Sequence, residues 1–299
     1  MRLRRTELST PGSNPYMIAK AATSAADLVL LDLEDAVAPS EKEGARAKVV
    51  QGLTTLDWGT KTLAVRINDL ESEYAYQDLI TVVEEAGSVL DLIIIPKVKA
   101  PRDVWWADTL LTQIEKHRRL PRRIGLEILI EEVEAMVQIE EIARASTRLE
   151  AIIFGPGDYS ASQGVDSRGI EGSIDGYPGD IWHYARNKIV IAARAAGIDA
   201  IDGAYADFKN PTGYERECIR ARTLGFVGKW AIHPSQIEIA NRIFAPTPAE
   251  VDYARRLDAT YNEALAQGQG AIAFEGKMVD AAIVRSVRNI IQKADLIGL

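Results

Sequence analysis

Charged side chains stand at the ends of most of the short apolar runs in this sequence. Two carboxylates are the most informative, Glu131 at the end of IGLEILIEE and Asp158 at the end of AIIFGPGD. Mg²⁺ prefers oxygen ligands and is usually held by one or two carboxylates together with water and substrate. Because the chain has only three histidines and one cysteine, a zinc site built from softer ligands is poorly supported. The pair therefore predicts a Mg²⁺ site, in which Mn²⁺ could substitute.

The sequence leaves two other uses of this carboxylate pair open. Carboxylates from adjacent strands of a barrel could be the acid and the base of a glycosidase. The aromatic content is only 7%, however, and no sugar-stacking surface is evident. Alternatively, Glu131 could form a salt bridge with a neighbouring helix. The metal site remains the preferred interpretation.

Arg66 lies near the end of LAVRIN, three residues before Asp69. In a strand, that odd offset would place the two side chains on opposite faces. The guanidinium could therefore bind a substrate carboxylate or stabilise an oxyanion. Alternatively, it could be a structural partner of Glu34 or Asp35. We expect Glu34, Asp35 and Lys97 to orient the residues that touch the ligand, as carboxylates around such sites often do.

A basic cluster surrounds STPGSNP near the N-terminus, and it consists of Arg2, Arg4, Arg5 and Lys20. A turn from a strand into a helix can present backbone N–H groups to a phosphate. We therefore expect Arg5 and Lys20 to bind phosphate, with an ordinary solvated basic N-terminus as the alternative. The net charge of −8 argues against a general affinity for nucleic acid or an anionic membrane.

These residues must be positioned by a regular alternation of short apolar runs and amphipathic segments. Most runs are continuously apolar, which is typical of strands covered on both faces. Such strands, alternating with helical segments such as Ser40–Leu53 and Glu73–Ala86, predict an α/β fold, a closed (β/α)₈ or TIM barrel. The eight predicted strands are Glu7–Gly12, Leu28–Asp35, Thr62–Asn68, Leu92–Val98, Ile124–Glu131, Ala151–Asp158, Ile198–Gly203 and Lys229–Pro234.

Two segments fall outside this alternation. Ser162–Asp180 is rich in Gly, Asp and Ser and predicts a long loop after the sixth strand. From Pro246, a helix over Ala249–Gln267, the Gly-rich GQGAIAFEGKM and a last helix predict a C-terminal helical lid. We therefore predict a barrel over residues 1–245 and an extension over residues 246–299.

The single cysteine, Cys218, excludes an internal disulfide and a cysteine-based zinc site. No apolar segment follows the basic start MRLRRTEL, and no run approaches the roughly 18 apolar residues of a membrane span. We therefore expect a cytoplasmic protein with no membrane partner.

Several motifs resemble those of the HpcH/HpaI aldolase–citrate lyase family. The resemblance is to its CitE-like branch, which includes malyl-CoA, β-methylmalyl-CoA and citramalyl-CoA lyases. The motifs are TPGSNP, LLDLEDAVAPSEKEGAR, VRIN, IPKV, FGPGDYSAS, GFVGKWAIHPSQI and FEGKMVD. Together they extend over nearly the whole chain. GYPGDIWHYARNKIV is more similar to the malyl-CoA and citramalyl-CoA lyases than to the short citrate lyase β subunits.

The resemblance implies Mg²⁺ bound by Glu131 and Asp158, with the catalytic Arg66 beside the substrate carbonyl. It also implies that Asp280, in KMVD, serves a neighbouring subunit of a homotrimer or homohexamer as the catalytic acid/base. Alternatively, the negative charge of Asp280 only stabilises the N-terminus of the last helix. Coenzyme A would lie near the N-terminal basic turn, close to Lys20. Tyr16 stands where many relatives have arginine, which leaves the phosphate contacts open.

The implied activity is the reversible retro-Claisen cleavage of a short 2-hydroxy-acyl-CoA such as malyl-, β-methylmalyl- or citramalyl-CoA. The products would be acetyl- or propionyl-CoA and a 2-oxo acid, glyoxylate or pyruvate. The alternatives are a malyl-CoA thioesterase and a CoA-independent 2-oxo-acid aldolase. A third alternative, of another class, is a non-autonomous β subunit of a citrate-lyase-type complex.

Overall fold

The computed structural model describes residues 2–165 and 179–299, and these residues include a closed barrel of eight parallel strands. Each strand pairs with the next along the chain, and β8 pairs with β1, which closes the sheet. The TIM barrel predicted from the sequence is therefore confirmed. Its strands are β1 (Thr6–Pro11), β2 (Leu28–Asp32), β3 (Thr62–Arg66), β4 (Leu92–Ile95), β5 (Gly125–Ile130), β6 (Leu149–Phe154), β7 (Asp199–Asp202) and β8 (Gly228–Ala231).

Twelve α-helices occur in the described residues, and several of them begin at a proline. Proline suits the first turn of a helix because its missing N–H would have no partner there. Within the described residues, no helix is long and apolar enough to cross a membrane. The helices are α1 (Pro15–Ala22), α2 (Lys42–Thr55), α3 (Ala75–Ala86), α4 (Pro101–Arg118), α5 (Val133–Val137), α6 (Ile139–Ile142), α7 (Pro156–Gln163), α8 (His183–Ala196), α9 (Pro211–Leu224), α10 (Ile237–Phe244), α11 (Pro248–Ala266) and α12 (Ala281–Leu296).

Alternate residues of the strands fill the interior of the barrel. Ala64 and Leu129 belong to the buried cluster at its centre. Successive side chains of a strand point to opposite faces. Arg66 and Glu131, each two positions further along the chain, therefore face the same interior, nearer the carboxyl ends of the strands.

The strands end earlier than the sequence predicts. The apolar run of β6 predicts a strand as far as Asp158, but the strand ends at Phe154. Pairing stops there because Pro156, which has no N–H to donate to a ladder, begins α7. Asp158 consequently lies in the first turn of a helix. Of the predicted loop over Ser162–Asp180, residues 166–178 lie outside the described residues, and its first two residues end α7.

The chain divides into two compact units. One unit is the barrel, Arg4–Asn241, and the other is Arg242–Leu299 together with the first residues of the chain. The second unit contains α11 and α12, whose buried side chains, among them Leu257 and Val284, form a separate apolar core.

A β-hairpin in this C-terminal unit corrects the sequence interpretation, which has only a Gly-rich connection there. The strands β9 (Ala271–Phe274) and β10 (Lys277–Asp280) pair in antiparallel fashion. Their two turn residues, Glu275 and Gly276, have φ angles of 47° and 77°. A two-residue turn with positive φ at both positions matches the twist of the strands it joins.

A buried cluster of charges lies where the barrel strands begin. Arg4, just before β1, pairs with Glu127 and with Glu150, the latter at 2.5 Å. Its Nε lies 3.5 Å from Asp199, and its Nη1 lies 4.0 Å from Glu7. Burial raises the pKa of Glu7 to about 7, although the charge of Arg4 and a hydrogen bond from Trp230 oppose this.

Glu7→Gln should raise the free energy of unfolding at alkaline pH and leave it unchanged near pH 4. The pKa of Glu7 rises from 4.5 to about 7 on folding. Between these values the folded protein binds more protons than the unfolded chain, so the ionisable side chain reduces stability progressively as the pH rises. At about 1.4 kcal/mol per pKa unit, the gain at high pH is about 3 kcal/mol. Urea unfolding of both proteins across this range measures it, and a difference independent of pH would contradict the assignment.

Candidate active site

A cavity of about 420 Å³ is lined by residues that end or follow the barrel strands. It therefore lies at the carboxyl end of the barrel, where enzymes of this fold assemble their active sites. Arg66, Glu131 and Asp158 line it together with aromatic residues such as Phe154 and Trp182. Its size and its mixture of apolar walls and a few charged groups are typical of a small-molecule site.

Glu131 is only 2% exposed, and its position is fixed from two sides. Its Oε1 accepts a hydrogen bond of 2.8 Å from the backbone N–H of Lys97. A Cβ atom at Gly155 would lie 2.3 Å from Glu131 Oε2, so only glycine leaves room for this carboxylate. Burial raises the pKa of Glu131 to about 8; the charge of Arg66 opposes this rise and that of Asp158 adds to it.

This pair of carboxylates fits a hard divalent cation. A buried carboxylate is costly to ionise unless a positive charge accompanies it, and Asp158 adds a second negative charge beside the same cavity. Among the residues that the structure describes, no group of three or more His, Cys, Asp and Glu is arranged to hold a metal. Mg²⁺ is usually held by one or two protein carboxylates, and water and substrate occupy its other coordination positions.

Arg66 is held by a carboxylate that the sequence analysis overlooked. Its Nε and Nη2 each donate a hydrogen bond of 2.7 Å to Asp32, the last residue of β2. Its Nη1 lies 3.0 Å from Glu34 and 3.5 Å from Asp35. Although burial opposes it, the charge of Asp32 raises the pKa of Arg66, so the guanidinium stays positive. A charged residue within the buried run LVLLD was the signal for Asp32, because buried carboxylates need partners.

Lys97 connects the remaining predicted residues at the edge of the site. Its Nζ contacts Glu34 and lies 3.4 Å from Asp35, which lines the cavity. Burial raises the pKa of Glu34 to about 7, although the charge of Arg66 opposes this. The backbone of Lys97 has a φ angle of 49°, in the left-handed region that favours glycine. Its N–H donates to Glu131 from this conformation.

The structure separates Arg5 from Lys20, which corrects the expectation of one basic cluster. Arg5 directly precedes β1, and its guanidinium makes two hydrogen bonds of 2.8 Å with Asp27. Lys20 is exposed on α1, which follows the carboxyl end of β1, and its Nζ lies 5.6 Å from the centre of the Tyr16 ring. A strand of six residues spans about 20 Å. Arg5 therefore lies at the wrong end of the barrel for a ligand near Lys20.

Asp280 belongs to the C-terminal unit, where it precedes α12 as its N-cap. Its Oδ1 accepts hydrogen bonds of 3.0 Å and 3.2 Å from the N–H groups of Ala282 and Ile283. Both bonds use the same oxygen, so Oδ2 takes no part in the cap. The helix-start role considered for Asp280 from the sequence is thus observed, and it leaves one oxygen for a second role.

Comparison with known proteins identifies the family of this chain. Residues 5–234 match the family model of the HpcH/HpaI aldolase/citrate lyase group. An L-malyl-CoA/β-methylmalyl-CoA lyase of Cereibacter sphaeroides is 41% identical, over 99% of this chain and 96% of the relative. The citrate lyase β subunit of Leuconostoc mesenteroides is 36% identical, over 98% and 94%.

A solved structure extends the likeness to three dimensions. The crystal structure of CitE from Mycobacterium tuberculosis, in complex with magnesium, acetoacetate and coenzyme A, has a TM-score of 0.75 and 30% identity. The match covers 97% of each chain. Since the family model covers most of the sequence and these relatives match it nearly end to end, the chain belongs to the HpcH/HpaI aldolase/citrate lyase family.

Proposed function

We propose that this chain is a Mg²⁺-dependent carbon–carbon lyase that reversibly cleaves a short 2-hydroxy-acyl-CoA into an acyl-CoA and a 2-oxo acid. The observation that carries the proposal is the convergence of Arg66, Glu131 and Asp158 on one cavity at the carboxyl end of the barrel. The names of the relatives support it, since one is a malyl-CoA/β-methylmalyl-CoA lyase. The substrates would be malyl-, β-methylmalyl- or citramalyl-CoA, and the products acetyl- or propionyl-CoA with glyoxylate or pyruvate.

The residues around the cavity have complementary tasks in this reaction. Glu131 and Asp158 would hold Mg²⁺, which supplies Lewis-acid polarisation of the substrate oxygens when bound. Arg66, kept positive by Asp32, neutralises the negative charge that develops on the oxygen of the 2-oxo acid. The apolar walls, including Phe154, lower the local dielectric constant, which strengthens these electrostatic interactions.

Asp280 would complete the reaction by moving a proton at the α-carbon of the thioester. In cleavage, the substrate hydroxyl gives its proton to solvent water, and the electrons of the breaking C–C bond pass to the thioester as an enolate. Asp280 then protonates the enolate carbon, whereas in condensation it removes that proton. We propose that Asp280 acts in the site of a neighbouring subunit, within a homotrimer or homohexamer, through the Oδ2 atom that the helix cap does not use.

Lys20→Glu should raise the KM for acyl-CoA about tenfold and change kcat much less. We propose that Lys20 binds a phosphate of coenzyme A, an interaction equally strong in the ground and transition states. A charge-assisted hydrogen bond contributes about 1.5 kcal/mol, and each 1.4 kcal/mol is about tenfold in affinity. Lys116→Glu, on the exposed part of α4, is the control for net charge. Equal KM values in the two variants would contradict the assignment.

A panel of thioesters tests the proposed function directly. The purified protein, without any other subunit, is incubated with Mg²⁺ and malyl-, β-methylmalyl- or citramalyl-CoA, and the products are separated by chromatography. A lyase releases glyoxylate or pyruvate together with acetyl- or propionyl-CoA. A thioesterase instead releases free coenzyme A and a 2-hydroxy acid with its carbon skeleton intact. Failure to cleave any free acyl-CoA would favour a non-autonomous citrate lyase β subunit, and cleavage of CoA-free substrates alone would favour an aldolase.

A further inference from the structure

The side chain of Trp230, on β8, lies between the cavity and the charge cluster at the amino end of the barrel. The residue is 6% exposed and lines the cavity. The guanidinium carbon of Arg66 lies 5.4 Å from the centre of its ring. In the other direction, its Nε1 donates a hydrogen bond of 2.8 Å to Glu7 Oε2. One indole therefore contacts both a charged residue of the site and a buried carboxylate that the mechanism does not use.

Glu7 is well suited to fix the orientation of this indole. It is fully buried on β1, and its Oε1 has no hydrogen-bond partner within the described residues. A buried indole N–H left without an acceptor is unfavourable. The bond to Glu7 therefore selects the rotation of the ring about its side-chain bonds, and with it the direction in which the ring face points.

The ring face matters because, among the described residues, it is the one aromatic contact of the Arg66 guanidinium, beside its carboxylate partners. Asp32 accepts hydrogen bonds from Nε and Nη2 of Arg66, and Nη1 lies 3.0 Å from Glu34. The indole of Trp230 lies against the guanidinium. A buried cation is attracted to the face of an indole. If the ring turned, Arg66 would keep its carboxylate partners but lose the aromatic face against which its guanidinium lies.

We propose that Glu7 is a positioning residue for Arg66 and that it acts through the indole of Trp230. The effect on turnover rests on the proposed function, because there Arg66 neutralises charge in the transition state. The effect on the geometry of Arg66 does not rest on it. If Glu7 had only a structural role, its replacement would change the stability of the protein and leave both kcat and the position of Arg66 unaltered.

The central variant is Glu7→Leu, which keeps a similar volume and removes the acceptor. We expect kcat to fall about 10- to 100-fold with a small change in KM, since misplacement of a catalytic group by about 1 Å can cost this much. Glu7→Gln retains a carbonyl acceptor for the indole N–H and should restore most of kcat. Glu127→Leu is the matched control, because Glu127 is equally buried and pairs with Arg4 in the same cluster. It should lose stability without losing kcat.

A second measurement is independent of the reaction. In protein labelled with ¹⁵N at arginine, the Nε–H resonance of Arg66 is identified by its loss in Arg66→Lys. This resonance should move in Glu7→Leu and stay in place in Glu127→Leu. If the wild-type protein cleaves no acyl-CoA, the proposed function fails, and the resonance still decides the role of Glu7.

Trp230→Phe covers the case in which Glu7→Leu does not fold. It removes the same hydrogen bond from the other side while keeping an aromatic ring, and it should also move the Arg66 resonance. An Arg66 resonance unchanged by loss of this bond, or equal kcat values in Glu7→Leu and Glu127→Leu, would overturn the proposal.

Discussion

Asp158→Asn should abolish high-affinity Mg²⁺ binding and carbon–carbon cleavage while leaving the barrel folded. The substitution keeps the shape of the side chain but removes half of the carboxylate pair that faces the cavity. Loss of a group that merely supports a metal ligand typically costs 10- to 100-fold in affinity, so loss of a ligand should cost at least about 100-fold. Titration calorimetry with Mg²⁺ measures the affinity, and thermal unfolding checks the fold.

Glu132→Gln is a suitable control for Asp158→Asn. Glu132 follows Glu131 in the chain, but its carboxylate accepts a hydrogen bond of 2.8 Å from Ser162. The control changes the net charge by the same amount and should bind Mg²⁺ like the wild type. Full activity of the wild-type protein after exhaustive treatment with EDTA would refute the metal assignment.

Asp280→Asn should lower kcat by about 10²- to 10⁴-fold, which is the usual contribution of a general acid/base. The structure makes this substitution unusually informative. Asp280 is the N-cap of α12, and asparagine caps a helix as well as aspartate does. If capping is the only role of Asp280, the variant should therefore retain both its stability and its activity.

Mixing two inactive variants tests whether Asp280 serves a neighbouring subunit. Asp280→Asn and Asp158→Asn subunits are combined under conditions that allow exchange between oligomers, and mass spectrometry verifies that mixed oligomers form. With a shared site, some interfaces unite an intact Asp280 with an intact Asp158, so part of the activity returns. Mixtures that exchange and remain inactive would show that Asp280 does not act across an interface.

The sequence predicted the barrel and the convergence at its carboxyl end because both follow from local patterns. Continuous apolar runs identify strands covered on both faces, and polar residues such as Arg66 and Glu131 that end such runs meet at one end of a parallel barrel. Arg66 and Glu131 lie two residues after Ala64 and Leu129, which belong to the central cluster, so their side chains also face the interior of the barrel. These properties depend on residues close together in the chain.

The errors arose where contacts distant in sequence decide the structure. Arg5 and Lys20 flank the same turn in the sequence, but β1 carries them to different ends of the barrel. Asp32 was overlooked because only its pairing with Arg66, on the next strand, explains a charge inside an apolar run. The hairpin strands β9 and β10 have only four residues each, and the glycines around them favoured the prediction of a loop. The pair Glu275–Gly276 did indicate a turn.

The left-handed backbone of Lys97 has a consequence for laboratory evolution. A residue with a Cβ atom in this region, here at a φ angle of 49°, costs about 1–2 kcal/mol relative to an ordinary conformation. Glycine would relieve that cost but would remove the ammonium group that contacts Glu34. Removing one partner of a buried ion pair costs more than this strain, so selection for heat tolerance should retain lysine in the intact chain and should enrich glycine only after Glu34 has been replaced by a neutral residue.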